Sequence, residues 1–273
     1  MTEQATLSIA VVSGKGGVGK TNIALNLAYA LHRAKQRVLL MDCDLGLANL
    51  DVLLGIAPKV SIERVMLGEA ALEDAVMGVE PGGFSLLPAS SGVEALEQGA
   101  NSLRSSFLKQ LNALASKYDY FIMDAGAGIS ETVQAFASKA DMRVVIVTPE
   151  PTSITDAYAL IKVLSSQRGI TDFHILVNQA ETAREEKAAF SRLATACDKF
   201  LGITLQSLGA IRHDPAMIQA VRRQEPLLKF SASSPAGKDL VAAAVRVHKL
   251  RDSVSRDPGG PLRESDYLHA AHE

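Results

Sequence analysis

Between an apolar run, Leu7 to Val12, and a segment in which Ile23, Leu27 and Leu31 recur with helical period stands the stretch SGKGGVGKTN, residues 13 to 22. Gly14 through Thr21 fits the pattern G-x-x-x-x-G-K-[ST], and its place after a strand and before a helix constrains the fold more than any other feature of the chain. Glycines without a Cβ let consecutive backbone N–H groups turn toward one anion, and the following helix directs its positive end at the same point. Lys20 is then placed to neutralise the β- and γ-phosphates of a nucleotide, and the Thr21 hydroxyl to ligate Mg²⁺. Lys15 is surplus to this motif; taken alone it reads as a solvent-facing loop cation.

The other apolar runs agree with this start. Val38 to Met41, Tyr120 to Met123, Val144 to Val147, Phe173 to Val177 and Leu205 to Ile211 read as buried strands. Helical patterns separate them, as in Phe107, Leu111 and Leu114 or Ile154, Tyr158 and Ile161. The alternation predicts an α/β fold, a doubly wound, mostly parallel sheet flanked by helices, of the P-loop NTPase kind. Glu80 to Gly83 reads as a turn into a short strand, Phe84 to Leu87, and the last helix is expected near Pro235 to Leu250. One nucleotide-binding domain over residues 1–251 and a polar, mobile tail over 252–273 are expected.

Composition excludes several classes. Cys43 and Cys197 stand far apart without Cys-x-x-Cys spacing, which argues against a disulfide framework or a thiolate zinc site. No run approaches the roughly 18 uncharged apolar residues of a membrane span. The start, with Glu3, does not read as a secretory signal, so a cytoplasmic protein is expected. A formal net charge of −2 gives no global electrostatic reason to expect nucleic acid.

A phosphate loop needs carboxylates on neighbouring strands to hydrolyse a nucleotide. Asp42 and Asp44 follow Val38 to Met41, where alternate residues point to different sides. Asp124 follows Tyr120 to Met123 and begins Asp-Ala-Gly-Ala-Gly. A single Asp after a strand is usually a turn former, but three in this order after a phosphate loop point to a hydrolytic site.

The segment Lys15-Gly16-Gly17-Val18-Gly19-Lys20-Thr21 resembles the deviant Walker A of the MinD/ParA ATPases. The resemblance implies that Lys15 crosses a dimer interface to the nucleotide of a second subunit, making ATP a dimerisation signal. It implies catalytic roles for Lys15, Lys20 and Asp44, with Asp44 orienting the attacking water. Mg²⁺ would be held by Thr21, Asp42 and Asp124, the last through water in a switch II segment where Gly126 and Gly128 let the backbone move. ATP contacts are implied for Gly14, Lys15, Gly16, Gly17, Val18, Gly19, Lys20, Thr21 and Asn22. Asn178 stands where the family places an adenine-reading asparagine. Arg212, His213 and Asp214 form the loop expected on the ring's other side, although Arg212 replaces the proline usual in relatives. Glu150 is either a nucleotide or cross-dimer contact or part of a surface turn.

The stretches DLGLANLDVLLG, DAGAGIS and EPTSITDAYALIK look most like the FlhG (FleN) branch of that family, which regulates flagellar number and placement. This implies an ATP-dependent homodimer whose partners are a flagellar transcription activator of the FleQ type or components of the flagellar base. The cysteines of iron proteins with a 4Fe–4S cluster are missing, as is the late Cys-x-x-Cys of cluster-assembly scaffolds. Asp252 to Glu273 carries five acids against two arginines, so membrane binding is expected to be weak or partner-dependent, with recruitment to the cell pole or the inner membrane face. The N-terminus lacks the glutamine-containing extension with which some relatives activate a partner GTPase. A second reading is a ParA-like ATPase binding nonspecific DNA. Arg212, Arg222, Arg223 and Lys229 would form its basic strip, or else are scattered solvated cations, and the balanced charge makes direct DNA binding the weaker expectation. A metabolic P-loop enzyme would need a second substrate pocket, for which no motif is found.

Overall fold

The computed structural model describes residues 5–43, 50–80, 84–88, 101–256 and 260–262. Its strands, in chain order, are β1 (Leu7–Ser13), β2 (Val38–Cys43), β3 (Met77–Glu80), β4 (Phe84–Leu87), β5 (Tyr120–Ala127), β6 (Met142–Val147), β7 (His174–Ala180) and β8 (Gln206–Arg212). They lie side by side as β3-β4-β2-β5-β1-β6-β7-β8, and every neighbouring pair is parallel except β3 with β4. The described helices are α1 (Lys20–Arg33), α2 (Leu50–Leu54), α3 (Ile62–Met66), α4 (Asn101–Ala115), α5 (Glu131–Lys139), α6 (Pro151–Arg168), α7 (Ala183–Leu201), α8 (Pro215–Arg222), α9 (Leu227–Ser231) and α10 (Pro235–Leu250).

The sheet is covered on both faces, as its continuous apolar strands require. Leu7, Ile9 and Val11 of β1 pack with Ile23, Leu27 and Leu31 of α1 and Leu240 and Val247 of α10. The alternate residues Ala10 and Val12 face the opposite layer, with Leu111 of α4, Val133 of α5, Leu160 of α6 and Leu193 of α7. The expected doubly wound fold is therefore present, with β1 at its centre. From β1 the chain moves to β2 on one side and later to β6 on the other, and the crevice at such a reversal is where α/β sheets bind ligands.

Local chemistry sets the helix ends. α6 opens with Pro151 in its first turn and stops at Gly169, whose φ of 66° suits a residue without a Cβ. The Thr182 hydroxyl accepts the Glu185 N–H at the start of α7, and the Ser234 hydroxyl accepts that of Gly237 at the start of α10.

One expectation is corrected. Asp42 and Asp124 lie within strands rather than after them, because the backbone ladder continues past the point where the apolar run stops: Asp42 is in register with Asp124, and Cys43 with Ala125. The antiparallel edge strand β3 went unread, since its four residues MGVE are only partly buried and carry no apolar alternation. Within the segment read as a polar tail, Leu262 is 4% exposed and its N–H donates to Asn112 Oδ1 at 3.0 Å. That amide bond, with the apolar side chain packed in the core, holds Leu262 against α4.

Candidate functional site

The loop after β1 is shaped by two close approaches. A methyl group on Gly14 would lie 2.1 Å from the backbone oxygen of Asp156 in the second turn of α6, so only glycine lets β1 and α6 meet there. A methyl on Gly19, where φ is +86°, would lie 2.4 Å from Asn178 Nδ2. At Gly16 and Gly17, by contrast, it would meet nothing within 4 Å, so the rim of the loop is open. Ser13 fixes the loop from behind: its hydroxyl donates to the Lys15 carbonyl at 2.9 Å, and its own carbonyl accepts the Gly128 N–H at 2.9 Å. Gly19 then caps α1, its carbonyl accepting the Ile23 N–H at 3.0 Å. Asn22 lies in the first turn, its carbonyl accepting Asn26 Nδ2, and Val18 is buried beneath the loop.

The two lysines occupy different surroundings. Lys20 is buried, and its Nζ lies 2.6 Å from Oδ1 of Asp124, which is also buried. Lys15 is partly exposed; its Nζ lies 2.6 Å from Glu150 Oε2 and donates to Thr152 Oγ1 at 3.0 Å. Glu150 is thus the anchor of the surplus lysine, at the residue that precedes α6. Thr152, which sequence reasoning passed over, completes that grip.

Asp42 faces the same crevice edge from β2, and its Oδ2 accepts the Leu50 N–H at the start of α2 at 3.2 Å. Asp44 lies outside the described residues. Asn178, buried near the end of β7, donates through Nδ2 to the Val18 carbonyl at 2.7 Å. Arg212, His213 and Asp214 are bound to the scaffold. Arg212 grips both carboxylate oxygens of Asp239 at 2.8 Å each, and His213 Nδ1 sits 3.3 Å from Glu181 Oε1. Asp214 caps α8 by accepting the Ala216 N–H and also accepts the Ala236 N–H. Burial pushes its carboxyl up, yet these N–H groups and its other partners hold it below the usual range. Of the cations read as a basic strip, Lys229 is paired with Glu80 and Arg223 lies over the Phe230 ring. Gln134 of α5, also unread, donates to the Ile129 carbonyl at 2.9 Å and so ties down the segment after Asp124.

The donor set fits a magnesium nucleotide. Open glycines, a helix N-terminus and Lys20 suit phosphate, while the Thr21 hydroxyl and the carboxylates of Asp42 and Asp124 are hard oxygen ligands. No cluster of three or more His, Cys, Asp or Glu gathers among the described residues.

A glycine loop between a buried parallel strand and a helix, with its lysine paired to Asp124 and a second carboxylate, Asp42, in register with Asp124 on the adjoining strand, defines a P-loop nucleotide-binding protein of the α/β class. The family model described as an AAA domain matches residues 6–172. The chain is 39% identical over 239 residues to the antiactivator FleN of Pseudomonas aeruginosa, covering 88% of this chain and 85% of that protein. It is also 39% identical over 229 residues to the flagellum site-determining protein YlxH of Helicobacter pylori, covering 83% and 76%. Among solved structures, the septum site-determining protein MinD of Pyrococcus horikoshii, complexed with Mg-ADP, superposes with a TM-score of 0.74 at 26% identity, covering 92% of this chain and 100% of that one. The chain belongs to the MinD/ParA family of P-loop ATPases, on its FlhG-like side.

No helix among the described residues is long and apolar enough to cross a membrane.

Proposed function

We propose that this chain is a regulatory ATPase whose ATP–Mg²⁺ form is a homodimer that binds a flagellar partner, with slow hydrolysis ending the signal. The observation that carries the reading is the separation of the two lysines. Lys20 is committed within its own chain to Asp124, whereas Lys15 projects at the loop's open rim in a partly exposed pair with Glu150. An exposed pair of that kind is held by little free energy, so Lys15 is available to a nucleotide on a second copy. ATP then links two subunits because each triphosphate is contacted by both only when they are joined.

Within this scheme the backbone N–H groups of the loop from Gly14 to Thr21 bind the phosphates. Lys20 leaves Asp124 for the β- and γ-phosphates. Thr21, Asp42 and Asp124 would hold Mg²⁺, which when bound neutralises phosphate charge and orients the terminal phosphoryl group. Asp44 orients the attacking water. Asp42 ties the site to α2, and Ser13 of β1 to the Gly128 segment that follows Asp124, the two places where loss of the γ-phosphate would be felt.

The flagellar assignment is supported by the likeness to an antiactivator and to a flagellum site-determining protein. A transcription activator of the FleQ type is the proposed partner, and the protein acts in the cytoplasm with recruitment to the pole or inner membrane face. The ATPase domain is assigned to residues 1–251. The direct test is retention of such an activator on the immobilised chain with ATP–Mg²⁺ and with ADP. Retention only with ATP supports the reading; equal retention in both states, or none, removes the switch from it.

A further inference from the structure

We infer that the contact between Gln224 and the end of α2 is a relay that carries the state of the nucleotide site to the exposed surface of α8. The inference rests on the ATPase reading and names the surface on which a partner would read the bound nucleotide.

α2 is joined to the candidate site at one end and to the turn after α8 at the other. At its start the Leu50 N–H donates to Asp42 Oδ2 at 3.2 Å, so a demand that a bound nucleotide makes on that carboxylate is passed to α2. Toward its end the Val52 carbonyl accepts Gln224 Nε2 at 2.9 Å, across 172 residues of sequence. Two left-handed residues meet there. Gly55 has φ +62° and Gln224 φ +55°, and a Cβ on Gly55 would lie 2.8 Å from Gln224 Oε1. A residue with a Cβ holds such a backbone only against an unfavourable free energy, and strain of this kind gathers at switching elements.

The turn that carries Gln224 has a fixed side and a looser one. On the fixed side, the Leu228 N–H of α9 donates at 3.0 Å to Oδ1 of Asn26, a fully buried residue of α1 whose Nδ2 is bound to the Asn22 carbonyl. Leu227 is fully buried as well, and Lys229 pairs with Glu80 at 2.6 Å. α9 is therefore held to α1, the helix that leaves the phosphate loop. On the looser side, only Ala220 of α8 is buried, while Ile218, 53% exposed, and Arg222 face solvent. Asp214 holds the start of α8 by accepting the Ala216 and Ala236 N–H groups. With α9 and the start of α8 fixed, a shift of the Val52 carbonyl pulls on Gln224 and is taken up in the last turn of α8, where Arg222 lies.

The test is amide hydrogen exchange at saturating nucleotide, with ADP and with a non-hydrolysable ATP analogue, each with Mg²⁺, on full-length wild type, Gln224→Gly and Gly55→Ala. Gln224→Gly removes the amide and leaves a residue suited to the left-handed turn, whereas Gly55→Ala displaces the same amide from the α2 side. Protection of residues 14–21 by the analogue in every protein shows that nucleotide is bound. In wild type, exchange in residues 215–224 is expected to differ between the two nucleotides by about fivefold or more, the lower end of allosteric coupling. Both variants are expected to lose that difference. A contact that only supports the fold would raise exchange equally with both nucleotides and leave the difference intact, and that result would overturn the inference. So would a wild type whose residues 215–224 exchange alike with ADP and with the analogue. A wild type in which the analogue gives no protection of residues 14–21 would instead remove the ATPase reading itself, and the inference with it.

Discussion

Lys20 and Asp124, 104 residues apart in sequence, meet in a buried ion pair with Nζ 2.6 Å from Oδ1. The lysine proposed to bind phosphate is thus held by a proposed metal-site carboxylate, and in that scheme ligand binding would exchange one partner for another. Lys20→Met is expected to lower ATP hydrolysis by roughly 100-fold or more, the scale for losing a preorganised charged group. Removing one member of a buried pair should also weaken the fold by about 3 kcal/mol. Adding Asp124→Asn should restore much of the stability, measured by urea unfolding, and none of the hydrolysis.

Gly14 and Gly16 separate packing from phosphate access. Gly14→Ala forces a methyl into the backbone of Asp156 and should cost about 2 kcal/mol or more, as overpacking against an unyielding neighbour does. Gly16→Ala meets nothing within 4 Å and should leave the melting temperature nearly unchanged. Thermal unfolding of the two variants without nucleotide checks the contrast.

His174, at the start of β7, gives a pH dependence. Burial pushes its imidazole below the ordinary value of 6.5, with Arg143 adding to the effect and Asp172 opposing it. The sign follows: above pH 6.5 the ring is neutral in both states and makes no difference. Below it the unfolded chain takes up a proton that the folded chain resists, so stability falls as pH drops from 6.5 toward the depressed folded value. Unfolding free energy measured from pH 7.5 to 5.5 should therefore decline more steeply in wild type than in His174→Gln.

Arg212 is gripped by Asp239, and its N–H and guanidinium both reach that carboxylate. Arg212→Ala is expected to shift ATP affinity by less than roughly twofold, since the pair is exposed and belongs to the α10 attachment. Titration with ATP–Mg²⁺ settles whether this loop contacts the base.

The phosphate loop was legible because its chemistry is local: glycines, a lysine and a threonine at fixed spacing between an apolar run and a helical pattern. The identities of Asp42 and Asp124 were equally visible, but their register across β2 and β5 arises only when distant strands pair. The destinations of Glu150, Arg212 and Asn178 were hidden for the same reason, each partner lying 27 to 160 residues away. The left-handed turn at Gln179 depends on a shift between β7 and β8 that no local residue announces, glutamine having no special preference for it. β3 escaped notice because an edge strand buried on neither face needs no periodic pattern.

The central claim is that Lys15 makes ATP a dimerisation signal. Its most direct test is molar mass in solution by light scattering, with ADP and with ATP–Mg²⁺, on Asp44→Ala protein and on the same protein carrying Lys15→Ala. A monomer with ADP, a dimer with ATP–Mg²⁺, and a monomer in both states once Lys15 is removed is the expected result. An Asp44→Ala protein that binds ATP yet stays monomeric, or a dimer that persists without Lys15, would contradict it.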